Sequence, residues 1–131
     1  MEFGSTKKVL PFQPGNKAIS QYRQNIEMNM SPVESLIKTY DAAIFNLRKR
    51  NIEAARKAIT ELILALNFKK DNPDNVKDIA SGFLNTYNYC NSLIWKHKYD
   101  DAANVLQEIR DAWVESYKQQ RQEHLRQLQE Q

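Results

Sequence analysis

The chain has 131 residues, 41% hydrophobic and 27% charged, with a formal net charge of +3 from 19 basic and 16 acidic side chains. This length supports one domain with its own hydrophobic core, and three glycines and four prolines are too few for a turn-rich β sandwich. No run of 18 apolar residues is present to span a membrane, the basic residues are dispersed rather than striped as in a nucleic-acid binder, and the sole cysteine, Cys90, excludes an intrachain disulfide.

"MEFGST" reads like restriction-site translation from an expression vector, and residues 1–16 as a whole, with two prolines and no period, are expected to be a flexible leader. From residue 17 the pattern turns helical. A short segment over 17–28 places Ile19, Tyr22 and Ile26 near one face. A second helix is expected from Ser31, with Ser31 as its cap, Pro32 in its first position and Glu34 three residues after the cap. Its stripe is Val33, Leu36, Ile37, Tyr40, Ala43, Ile44 and Leu47. "RKR" at Arg48 to Arg50 reads as a solvated helix end that complements the dipole.

Asn51 is expected to cap a third helix carrying Ile52, Ala55, Ile59, Leu62, Ile63 and Leu66, antiparallel to the second because the connection is short. "FKKDNPDNV" is a break and restart, with Asn72 as cap and Pro73 in the first turn. The fourth helix, over 73–97, would be roughly 37 Å long at the helical rise. Its stripe is Val76, Ile79, Ala80, Phe83, Leu84, Tyr87, Cys90 and Ile94, and Gly82 within it suggests a close helix crossing. Asp100 or Asp101 is expected to open a fifth helix bearing Ala102, Val105, Leu106, Ile109, Ala112, Trp113 and Tyr117. Beyond it, 119–131 is a polar, Gln-rich tail in which only Leu125 and Leu128 continue the stripe. No segment alternates with period two. The expected fold is all-α: an antiparallel four-helix bundle with an additional short N-terminal helix over residues 17–118.

Signals of catalysis are sparse. A di-iron bundle needs Glu-x-x-His pairs, and neither His97 nor His124 has a glutamate three residues before it. Cys90 without a neighbouring histidine reads as a small core hydrophobe. Phosphate-cradling glycine loops and triad spacings are absent. No catalytic, metal or cofactor-binding residue is therefore expected, and an enzyme is not. The aromatic inventory is the unusual feature. Most tyrosines are expected to fill the core with hydroxyls reaching water at its rim. Tyr87 and Tyr89 cannot face the same side of one helix, however, and Trp95 lies off the main stripe, so apolar surface is expected outside the core, as at partner sites.

Four fragments then carry a resemblance: Gln21-Tyr22 with Asn25; Ser31-Pro32, Leu36 and Tyr40-Asp41-Ala42-Ala43-Ile44; Tyr87-x-Tyr89; and Leu106-x-x-Ile109-Arg110-Asp111-Ala112-Trp113. In this order, over about residues 18–118, the chain resembles the flagellar secretion chaperones of the FliS family. Ile19 stands where the family often has a tyrosine, and Ala42 where it has glycine, as in a divergent member. The resemblance implies a bacterial cytoplasmic chaperone that binds the disordered C-terminal segment of flagellin, blocks premature polymerisation and delivers its client to the flagellar type III export gate. Nucleic acid and membrane insertion have no part in it. Client-binding candidates are Ile19, Tyr22, Ile26, Tyr40, Asp41, Tyr87, Tyr89 and Trp95. For Tyr40 and Asp41 a structural role comes first, with Asp41 accepting a hydrogen bond from a neighbouring helix while Tyr40 packs. Residues 17–28, too short to be stable alone, are expected to cover an apolar groove until client displaces them. A generic helical adaptor for another amphipathic helix is the alternative.

Overall fold

The computed structural model describes residues 15, 18–19, 30–66 and 74–130, with the side chains of 30, 31 and 74–77 outside that description. These residues form four helices and no strand: α1 (Met30–Arg48), α2 (Ile52–Leu64), α3 (Asp74–Trp95) and α4 (Tyr99–Gln129). The proposed N-terminal helix lies mostly outside the described residues, as do the leader, the Asn72 cap and Pro73. Of that segment, Ala18 and Ile19 are helical and Ile19 is fully buried.

Each helix buries the stripe that its spacing marks out. In α1 these are Val33, Tyr40, Ala43, Ile44 and Leu47; in α3, Ile79, Ala80, Phe83, Tyr87, Cys90 and Ile94. Among the described residues α1 packs against α2 and α4, and α3 packs against α4 and α2. The largest side chains form a chain of rings across the interior. Tyr40 lies 6.2 Å from Tyr87, Tyr87 6.0 Å from Phe83, and Phe83 6.0 Å from Trp113, centroid to centroid. Such ring pairs add about 0.5–1.5 kcal/mol each beyond their burial. Thr86, a buried polar group, is satisfied by donating to the Gly82 carbonyl one turn back, at 3.1 Å.

Two helix starts differ from the sequence expectation, and α3 ends at Trp95 rather than at residue 97. Helix α1 already includes Met30, so Ser31 sits inside its first turn rather than capping it. Proline lacks only a donor that has no partner anywhere in that turn, so Pro32 does not fix which residue comes first. Helix α4 begins at Tyr99, with Asp100 and Asp101 in its first turn, where carboxylates favour the positive helix end without capping it. Asn51 does occupy the position before α2, although its side chain makes no capping hydrogen bond.

The α1–α2 and α3–α4 turns share one hydrogen-bond pattern. Asn51 N–H donates to the Asn46 carbonyl at 2.8 Å and Arg50 N–H to the Leu47 carbonyl at 3.1 Å. In the other turn Lys98 N–H donates to Leu93 at 2.8 Å and His97 N–H to Ile94 at 2.9 Å. This pairing ties off the last free carbonyls of a helix and places one residue in the left-handed region. That residue is Arg50 (φ 67°) in the first turn and His97 (φ 62°) in the second. Glycine is usual there, because a side chain in that conformation costs about 1–2 kcal/mol.

Candidate functional site

The sequence-predicted residues divide by depth. Ile19, Tyr40 and Tyr87 are in the interior, at 2% exposure or less. The hydroxyls of Tyr40 and Tyr87 hydrogen-bond to one another between α1 and α3, rather than reaching water at a rim. Neither ring is on a surface that a partner could touch in this arrangement. Tyr89 is half-buried against the core. Trp95, the last residue of α3, is 76% exposed, as its place off the stripe implies. Tyr22 and Ile26 lie outside the described residues. The structure therefore does not gather the described candidates onto one face.

Asp41 follows the structural expectation. Its exposed carboxylate accepts from Arg110 Nε on α4 at 2.8 Å, while Tyr40 beside it packs inward. Arg110 also donates to Asp111 at 3.3 Å. The hydrogen bond to Asp41 raises the affinity of the Arg110 guanidinium for its proton, against the opposing effect of partial burial. One turn from the start of α1, Glu34 accepts from the Tyr117 hydroxyl at 2.5 Å, and this bond to a carboxylate raises the phenol's pKa. With Arg48 donating to Asn104 Oδ1 at 3.3 Å, helix α4 is tied to α1 at three levels by polar contacts outside the core.

Sequence reasoning missed two exposed apolar residues: Phe45 at 61% and Leu64 at 77%. Each sits off its helix's buried stripe, and a helical projection would have marked them. Between α1 and α2 lies an open cavity of about 300 Å³, walled by Pro32, Leu36, Thr39, Glu61, Leu62 and Ala65. Its volume is at the small end of ligand sites, and its walls are mixed in polarity.

The reactive groups are quiet. Burial pushes the Cys90 thiol up to about 12, so it stays protonated and inert near neutral pH. His97 Nδ1 shares a hydrogen bond of 2.6 Å with the Tyr99 hydroxyl at an exposed turn. Among the described residues no group of three or more His, Cys, Asp or Glu side chains could hold a metal ion, and no helix is long and apolar enough to cross a membrane. The class defined is an all-helical protein with a mutually packed aromatic interior and scattered apolar side chains outside it. No family model, curated protein or solved structure matches the chain.

Proposed function

We propose that this chain is a bacterial cytoplasmic export chaperone of the FliS type and that its four helices form an antiparallel bundle with a short helix before them. It binds the disordered C-terminal segment of flagellin, keeps that segment from polymerising early, and hands it to the flagellar type III export gate. The reading involves no catalysis, cofactor or nucleic acid. The order of helix contacts, α1 to α2 to α3 to α4 and back to α1, suits a bundle.

One observation carries the functional reading. Three of the four sequence fragments behind the resemblance, those within the described residues, lie far apart in the chain and meet in space. Tyr40 of the Tyr-Asp fragment bonds Tyr87 of the Tyr-x-Tyr fragment, and Asp41 bonds Arg110 of the closing fragment. Trp113, which ends that closing fragment, lies against Phe83, one turn before Tyr87. Residues serving one shared architecture would couple in this way. A client disordered when free would gain its helical order from the chaperone's surface, which keeps affinity per unit area moderate while permitting a large wrapped interface.

The test is calorimetric titration with a synthetic peptide of the flagellin C-terminal segment and a scrambled control. Saturable binding of the native peptide alone is expected. A generic adaptor is the second reading, favoured by the exposure of Trp95, Phe45 and Leu64 on three different helices. Equal binding of native and scrambled peptides, or of neither, removes the chaperone reading.

A further inference from the structure

Helix α4 carries a second stripe outside the core. Asn104, Gln107, Asp111 and Val114 in its inner half and Lys118, Arg121, Leu125 and Leu128 in its outer half follow one another at spacings of three and four, so they share a face, and none is buried. The sign of charge changes along that face. In the inner half Arg110 serves two carboxylates, Asp41 at 2.8 Å and Asp111 at 3.3 Å. With Glu115 and Lys38 counted, three carboxylates stand against two cations there. In the outer half Lys118 and Arg121 have only Glu34 against them, because Glu123 is held on another side of the helix by Arg126 and Gln127, and Glu130 lies one heptad beyond Glu123. Asp41 and Arg48 both reach α4, at Arg110 and Asn104, and Phe45 stands between them on α1. Its ring, 61% exposed, therefore edges the inner half near the level of Gln107. From Arg121 onward α4 overhangs the core by roughly 13 Å, with every residue exposed.

We infer that this face pairs two copies of the chain, with α4 of one running antiparallel to α4 of the other. Setting Asp111 level with Arg121 of a second copy brings Gln107 level with Leu125, Asn104 with Leu128 and Val114 with Lys118. Arg121 then meets the Asp111 carboxylate. Lys118 lays its stem on Val114 and turns its ammonium to Glu115, while Leu125 reaches Phe45. A two-fold axis repeats every contact, so the interface closes on itself. The order of charge selects this occupant. An acidic helix would be repelled at Asp111 and Glu115, and a basic one at Lys118 and Arg121. A helix that carries both signs in reverse order fits, and α4 itself, turned end for end, is such a helix. Arg48 and Lys49 do not oppose the pairing, since one bonds Asn104 and the other lies over Phe45, level with the leucines rather than with the second copy's cations. The overhang of each copy rests on the inner half of the other. Polar side chains at most layers keep the pair weak, and its exposed charges make it sensitive to salt. This inference does not rest on the flagellin reading.

The test is analytical ultracentrifugation of the full chain at low ionic strength, from micromolar to millimolar concentration. The average mass is expected to rise from that of one chain toward that of two. Arg121→Asp and Asp111→Arg should each weaken association at least about tenfold, because each sets like charges together twice per pair. Asp111→Arg/Arg121→Asp, which exchanges the two charges, should return it to within about threefold of the parent. Leu125→Ser/Leu128→Ser, wholly outside the core, should weaken it as strongly as either single reversal. Lys57→Glu, the same change of charge on α2, should leave it within about twofold. Circular dichroism establishes that each variant folds. A single-chain mass at millimolar concentration would overturn the inference. So would equal weakening by Lys57→Glu and Arg121→Asp, since attraction would then be diffuse, or a folded exchange variant that fails to recover. If a variant at Asp111 does not fold, the leucine pair decides, and association unchanged by Leu125→Ser/Leu128→Ser overturns the inference as well.

Discussion

The two halves of α4 are one continuous helix held by different forces. From Ala102 to Ser116 it buries Ala102, Ala103, Val105, Leu106, Ile109, Trp113 and Ser116. From Arg121 to Glu130 every residue is exposed, Leu125 and Leu128 at 48% and 53% included. Outside the core the helix relies on Glu, Gln, Arg and Leu, which form helix readily, and on pairs along its own surface. Glu123 accepts from both Arg126 and Gln127. Such pairs contribute about 0.2–0.5 kcal/mol each, so they can sustain a helix that the core has already nucleated. Secondary structure alone is therefore a poor guide to where this chain's stability resides.

The sharpest test of that contrast is Trp113→Ala. It should lower unfolding free energy by about 3–5 kcal/mol, through lost burial and the cavity left against Phe83. A loss under about 1 kcal/mol in urea titration would mean the inner half is not anchored there. Tyr40→Phe removes one hydroxyl of the buried pair with Tyr87 and should cost about 1 kcal/mol by the same measurement. Unchanged stability would show that this bond has no net value.

Asp41→Asn weakens the tie from α1 to the inner half at Arg110. Because Asp41 is half-exposed, the expected loss is below about 1 kcal/mol. Acid reaches the beginning of α4. The hydrogen bond from Arg50, reinforced by its charge, holds the Asp100 carboxyl below the ordinary range. A lowered folded-state pKa contributes stability above the unfolded value, about 3.9, and that contribution is lost as pH falls through the folded value. Asp100→Asn should therefore lose less Tm than the parent between about pH 5 and pH 2. A parallel decline in both proteins would show that the pair is inert. On the outer half, Leu125→Ala/Leu128→Ala should change stability by less than about 0.5 kcal/mol. A larger loss would reveal packing that their exposure does not indicate.

The stripes were legible because burial in a helix imposes its period on the sequence. Val33, Tyr40, Ala43, Ile44 and Leu47 were all marked and all lie inside. Tyr40 was nonetheless misjudged in detail. Its hydroxyl meets that of Tyr87, 47 positions away, and no local pattern encodes a partner on another helix. The left-handed turns were equally silent, since Arg50 and His97 stand where glycine would have announced them. The Asp41 bond was anticipated in kind, while Arg110 as its donor became visible only when α1 and α4 were set side by side. Among the candidate site residues, periodicity separated Trp95 from the core, yet it could not tell a half-buried Tyr89 from an exposed one. That distinction depends on how neighbouring helices are spaced.

The sealed position of Cys90 gives the chain a practical asset for labelling chemistry. Its thiol is fully buried and remains protonated across the pH range in which maleimides and disulfide reagents act on thiolates. A single new cysteine on the solvent-facing end of α4, such as Gln122→Cys, would then carry a dye or spin label alone, with the native thiol left in place. Paired with the indole of Trp95 as donor or quencher, such a label would turn the length of α4 into a molecular ruler.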